Sequence, residues 1–202
     1  MIFFKFASTG LARFATVALL ATVIACDENG SGNLPTQGSP TNSDRITLPD
    51  ARREFTSRGG GFAFVVSTRD EWKSLRGTGE LFSLSGSTRM SVWSAELPQQ
   101  YGPRFVIVSD TGSVLMLDEW INVSTPSAVV LRDRNNRQIA QHSTDAVQAT
   151  LQVPMSEVTR QAKFGWWITT PPVLTSAGDA VRVETGGKVL TIRLSDGQLS
   201  AS

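Results

Sequence analysis

Residues 104–118 read Arg-Phe-Val-Ile-Val-Ser-Asp-Thr-Gly-Ser-Val-Leu-Met-Leu-Asp, and this stretch decides the fold. Two apolar arms flank the turn residues Asp110-Thr111-Gly112, the pattern of a β-hairpin. Neither arm alternates apolar with polar. A strand that is apolar at every position suits cover on both faces, so both arms of this hairpin are expected to be buried on both sides.

The flanking sequence is also rich in strands. Gly59–Gly61 frees the backbone before the β-rich run Phe62–Val66. Strands are expected at Glu80–Leu84 and Met90–Leu97, with Pro98 and Gly102-Pro103 ending the pattern. A second hairpin joins Ala128–Arg132 to Arg137–His142 around Asn135-Asn136, where Asn tolerates positive φ. A third joins Ala180–Thr185 to Lys188–Leu194 through Gly186-Gly187. Asp196-Gly197 makes a last turn before a polar tail.

Helices are expected to be short. Asp50 caps a turn running to Phe55, and Ser67 or Thr68 caps Arg69–Arg76, with Trp72 and Leu75 facing the core. Ser143 or Thr144 caps a helix through Leu151, and Pro154 opens Met155–Lys163. The prediction is therefore an α+β fold: one mainly antiparallel, β-rich domain at 45–202, with about ten strands and three or four short helices. The turn signals are irregularly spaced, so no internal repeat is read.

The first 44 residues have a different character. Lys5 and Arg13 precede an uncharged apolar run, Phe14–Ala25, which is shorter than the roughly 20 residues of a spanning helix. Val23-Ile24-Ala25-Cys26 follows, and Cys26 is the only cysteine. These residues resemble the lipobox of bacterial lipoproteins. The resemblance covers residues 1–26 and implies a signal peptide at 1–25, cleaved between Ala25 and Cys26. It also implies acylation of Cys26 and a lipid anchor holding the protein to a membrane of the cell envelope, facing the periplasm or exterior. Asp27, directly after the cysteine, matches the inner-membrane retention position of enteric lipoproteins. Residues 26–44 then form a lipidated cysteine and a linker rich in Gly, Ser, Pro and Asn, a composition that buries too little to order itself.

Composition excludes several chemistries. Without residues 1–25 the chain keeps 17 basic and 18 acidic residues, so no basic excess points to nucleic acid. A lone cysteine allows no disulfide and no thiolate zinc site. His142 is the only histidine, no Gly-x-Ser-x-Gly elbow occurs, and residues 133–144 fail the calcium-loop template. No catalytic, metal or cofactor residue is therefore assigned. Asp118-Glu119 follow an apolar strand, and as strand neighbours they point to opposite faces; a solvated strand end is expected. Core packing is expected for Trp72, Trp93 and Trp120. Trp166-Trp167, beside Pro171-Pro172, are the candidate contact for a protein, peptide or glycan, with one ring inward and one at least partly outward. Two functions are left open: a tethered, non-catalytic binding or assembly module, and an envelope hydrolase using carboxylates such as Asp110, Asp118 or Glu119.

Overall fold

The computed structural model describes residues 47–202. The expected signal peptide at 1–25, its expected cleavage between Ala25 and Cys26, the expected acylation of Cys26, Asp27 and the expected linker to residue 44 lie outside the described residues.

Twelve antiparallel strands form three four-stranded sheets, each a meander of consecutive strands. Sheet one contains β1 (Arg52–Thr56), β2 (Phe62–Ser67), β3 (Arg76–Ser85) and β4 (Thr88–Gln100). Sheet two contains β5 (Pro103–Val108), β6 (Val114–Glu119), β7 (Val129–Arg132) and β8 (Gln138–His142). Helices α1 (Thr144–Leu151) and α2 (Met155–Gln161) follow. Sheet three contains β9 (Val173–Leu174), β10 (Ala180–Thr185), β11 (Lys188–Arg193) and β12 (Leu199–Ala201).

The hairpin β5–β6 forms with Phe105 opposite Leu117 and Val108 opposite Val114, and its sheet is the shared middle layer. Val106, Val108, Val114, Met116 and Val130 pack against Phe64, Val66, Leu81, Trp93 and Leu97 of sheet one. Leu115, Leu117, Val129 and Leu131 face the other way. There they pack with Val147, Leu151 and Val158 of the helices and Val181, Val183, Leu190 and Ile192 of sheet three. Every residue of β6 is buried. This two-sided burial accounts for the unbroken apolar run.

The fold is mostly β rather than α+β, with two helices rather than three or four. The segment after Asp50 is strand β1. Arg53 and Phe55 share the inward face while Arg52, Glu54 and Thr56 face outward, a period of two that charged side chains disguise. Residues 69–75 form turns, not a helix. The expected cap does form, because Thr68 Oγ1 accepts from Trp72 N at 3.2 Å. However, Glu71 and Trp72 adopt φ of 56° and 66°. Trp72 is buried against sheet one and its indole N–H donates to the Asp50 carbonyl, while Leu75 is exposed. Anchoring the indole thus takes precedence over continuing the helical turn.

Pro98 does not end its strand. β4 runs through it to Gln100, on the free edge of sheet one and beside a register shift, where a missing N–H costs no ladder bond. The polar tail after Gly197 forms a further strand, in which Leu199–Ala201 pair with β11. The topological regularity of three meanders leaves no mark in turn spacing, because strand lengths run from two to 13 residues.

The two helices match their capping signals. Ser143 Oγ accepts from Ala146 N at 3.2 Å. Pro154 lies at the N-cap of α2, just before the first helical residue. Among the described residues, no helix is long and apolar enough to cross a membrane.

Candidate functional site

The far end of the β5–β6 hairpin carries a buried ion pair. Arg104 and Asp118 lie between the registered pairs Pro103–Glu119 and Phe105–Leu117. Arg104 Nε is 3.6 Å from Asp118 Oδ2, an ion-pair distance longer than a hydrogen bond. Asp118 is fully buried and has φ of 58°. That left-handed step breaks the alternation of the strand, so Asp118 and Glu119 are both buried instead of forming a solvated end. Glu119 accepts from Thr125 Oγ1 at 2.6 Å, which ties the loop after β6 to the start of α1 through Thr144.

Burial pushes the Asp118 carboxyl up to about 6, while the Trp166 N–H and Arg104 pull the other way. Oδ2 accepts from Trp166 N at 3.1 Å, and Oδ1 has no partner in the protein. Gly165 makes the contact feasible. It has φ of 67°, and a Cβ there would collide with Asp118 Oδ2 and press on Arg104 Nε. The loop Phe164–Trp166 therefore rests on the ion pair. It is a tight turn closed by a bridge between Phe164 and Ile168.

Around this pair the surface is aromatic. The Arg104 guanidinium lies 5.1 Å from the centre of the Trp120 ring, and Arg53 lies 4.9 Å from it, both within cation–π range. Arg104 also donates to the Trp120 carbonyl and to Asn122 Oδ1. Arg53 donates to the Pro103 carbonyl at 2.8 Å, and burial lowers its guanidinium to about 10. Phe105 and Phe164 meet edge to face at 5.7 Å. Trp120 is half-buried rather than core, unlike Trp72 and Trp93. Its indole N–H donates to the Thr47 carbonyl at 2.6 Å.

The structure separates the two candidate tryptophans. Trp167 is fully buried in the core between sheets two and three, and no ligand reaches it. Trp166 is half-buried at the corner that also presents Phe164 and Trp120. Sequence reasoning missed Arg53, Arg104 and Trp120. The hairpin held the signal for Arg104: if 105 faces 117, then 104 faces 118.

The remaining candidates do not converge. Asp110 sits on the hairpin turn, accepting from Gly59 N at 2.6 Å. It is roughly 15–20 Å from Asp118, given ~3.3 Å per strand residue. His142 Nε2 lies 2.8 Å from the Gly197 carbonyl, joining sheet two to the last turn. Among the described residues, no group of three or more His, Cys, Asp and Glu is placed to hold a metal ion. A cleft of about 380 Å³ beside β3 and β4 is lined by Thr68, Arg69, Arg76 and Glu96, with Arg76 and Glu96 paired at 3.3 Å on the surface.

No protein-family model and no curated protein matches the chain. Among solved structures, a europium-containing methanol dehydrogenase aligns at 13% identity with a TM-score of 0.35. The alignment covers 75% of this chain and 27% of that one, so the chain spans about a quarter of its length. Agreement at that level transfers neither architecture nor chemistry, and the corner at Arg104, Asp118, Trp120 and Trp166 stands on its own geometry.

Proposed function

We propose that the protein is a bacterial envelope lipoprotein, anchored through lipid on Cys26, whose β-rich domain is a non-catalytic binding or assembly module. Its contact surface is the arginine–aromatic corner of Trp120, Phe164 and Trp166. The observation that carries this reading is how the carboxylates are used. Asp118 is sealed beneath Phe164–Trp166, Glu119 is bonded to Thr125, and Asp110 holds a backbone amide. A hydrolase of the paired-carboxylate kind needs two carboxyl groups that converge within reach of its substrate; Asp118 and Glu119 are buried, and exposed Asp110 lies at the opposite end of the hairpin on the Gly59 amide. Half-buried tryptophan beside arginine is instead the composition of interface anchors.

Replacing Cys26 with Ala tests the anchor. The variant is expected to leave the membrane fraction or to accumulate as the unprocessed precursor; unchanged membrane retention with normal cleavage would defeat the lipoprotein reading. For the corner, Trp166→Ala is expected to abolish crosslinking from a photoreactive group at position 123 without lowering thermal stability by more than a few degrees. Crosslinking unaffected by Trp166→Ala would remove this surface from the proposal.

A further inference from the structure

We infer that the arginine–aromatic corner docks on the interface of the bilayer that carries the anchor. The inference rests on the lipoprotein reading and adds an orientation to it.

Three observations converge on this face. The first is where the chain enters the domain. The Thr47 carbonyl is bonded to the Trp120 indole and the Asp50 carbonyl to the Trp72 indole, so the chain leading from Cys26 joins the domain at this corner. A linker of about 20 residues whose Gly-, Ser- and Pro-rich composition is that of a coil would have a typical reach of roughly 22–27 Å, shorter than the width of a domain this size. The face at the tether is thus the one held closest to the membrane.

The second is composition. Leu48, Val123 and Phe164 are among the few large apolar side chains exposed on the described residues, at 42%, 41% and 37%. All three lie on segments that meet here: the lead-in at Thr47, the loop after Trp120, and the turn before Trp166. Their neighbours Trp120, Ile121 and Trp166 are half-buried, and Lys163 is exposed beside Phe164. Tryptophan and lysine flanking apolar side chains suit the headgroup layer, where amphipathic rings and snorkelling cations settle.

The third is charge. Arg53 and Arg104 flank Trp120. Arg104 pairs with Asp118, which is buried beneath the loop, and Arg53 faces the exposed Asp50, so exposed Lys163 and the partly exposed Arg104 are the positive groups this face offers to anionic lipid. Each contact is weak by itself. A short tether holds the face at an effective concentration of about millimolar, where weak interfacial partitioning suffices.

The experiment uses the protein purified from membranes and reconstituted in vesicles of phosphatidylethanolamine and phosphatidylglycerol brominated near the headgroup end of the acyl chains. Tryptophan emission is compared with that in unbrominated vesicles. Because Trp72, Trp93 and Trp167 are buried, quenching reports Trp120 and Trp166. The expected result is quenching in the wild type and its loss in Trp120→Phe/Trp166→Phe, with far-UV circular dichroism unchanged. Unquenched wild-type emission, or equal quenching in the double variant, overturns the docking face. Trp166→Phe alone supplies the same comparison if the double variant misfolds. Intact mass of the same sample reads acylation of Cys26 separately. If no acyl chain is found, the lipoprotein reading fails, and the docking face is tested by coupling the chain's only thiol to a maleimide lipid. An acylated protein without quenching fails the docking face alone.

Discussion

Gly165 is the residue on which the corner turns. Any side chain there would meet Asp118 and Arg104, and its backbone is already left-handed. Gly165→Ala is therefore expected to cost at least the ~1–2 kcal/mol of a left-handed non-glycine residue, with more from the collision. Urea denaturation measures it, and a loss under about 0.5 kcal/mol would mean that the loop does not rest on the ion pair. Asp118 makes a prediction in pH. Its folded value of about 6 lies above the ordinary 3.8, so the folded chain holds the proton that the unfolded chain releases between them. Its contribution to stability is complete below about pH 4 and is lost as pH rises through about 6, a change of about 2–3 kcal/mol. Arg104 and Glu119 are the charged groups that face it. Asp118→Asn should remove this component from a stability profile between pH 4 and 7; an unchanged profile would assign it to other groups. Asp196 acts in the opposite sense. Arg193 holds it down to about 2, so its contribution is present above about pH 4 and is lost as pH falls through 2.

At the scale of elements, short helices and strands depend on their ends. Helix α1 has eight residues, too few to be stable alone. Its start is secured by Ser143 Oγ on the Ala146 amide and by Thr144, which exchanges hydrogen bonds with Thr125. Ser143→Ala is expected to cost about 1 kcal/mol, read as a lowered denaturation midpoint with an unchanged slope. Residues 69–75 show the converse. The capping side chain is present and bonded, yet no helix follows, because burial of Trp72 fixes the backbone in left-handed steps. Strand β1 was hidden for a related reason: Arg53 occupies an inward position, held by the Pro103 carbonyl and by Trp120.

At the scale of the whole molecule, sheet two belongs to both hydrophobic cores. Loss of either core exposes one of its faces, so the described domain is expected to unfold in a single transition. Leu97→Ala, in the core with sheet one, and Leu190→Ala, in the core with sheet three, should each cost about 2–5 kcal/mol. Each should shift the same transition when followed by circular dichroism and by tryptophan fluorescence. Two separated transitions in either variant would show that the cores unfold independently.

Much of this architecture was legible along the chain. Continuous apolarity in 104–118 marked the hairpin as covered on both faces, and Gly186-Gly187 and Asn135-Asn136 located the other hairpins; that its sheet is the layer shared by two cores came from the tertiary structure. These signals are local: a turn residue or a burial pattern acts over a few neighbours, and the chain itself carries it. The corner was not legible as a whole. Arg53, Arg104, Asp118, Trp120 and Gly165 come from four separated segments, and whether a charge is sealed or solvated depends on what packs over it. Neither could the sequence say which tryptophan of the 166–167 pair faces inward, since a tight turn, not a strand, sets their directions. That choice falls to the tertiary structure, where the Trp166 amide bonds to buried Asp118 while the Trp167 ring fills the core between two sheets.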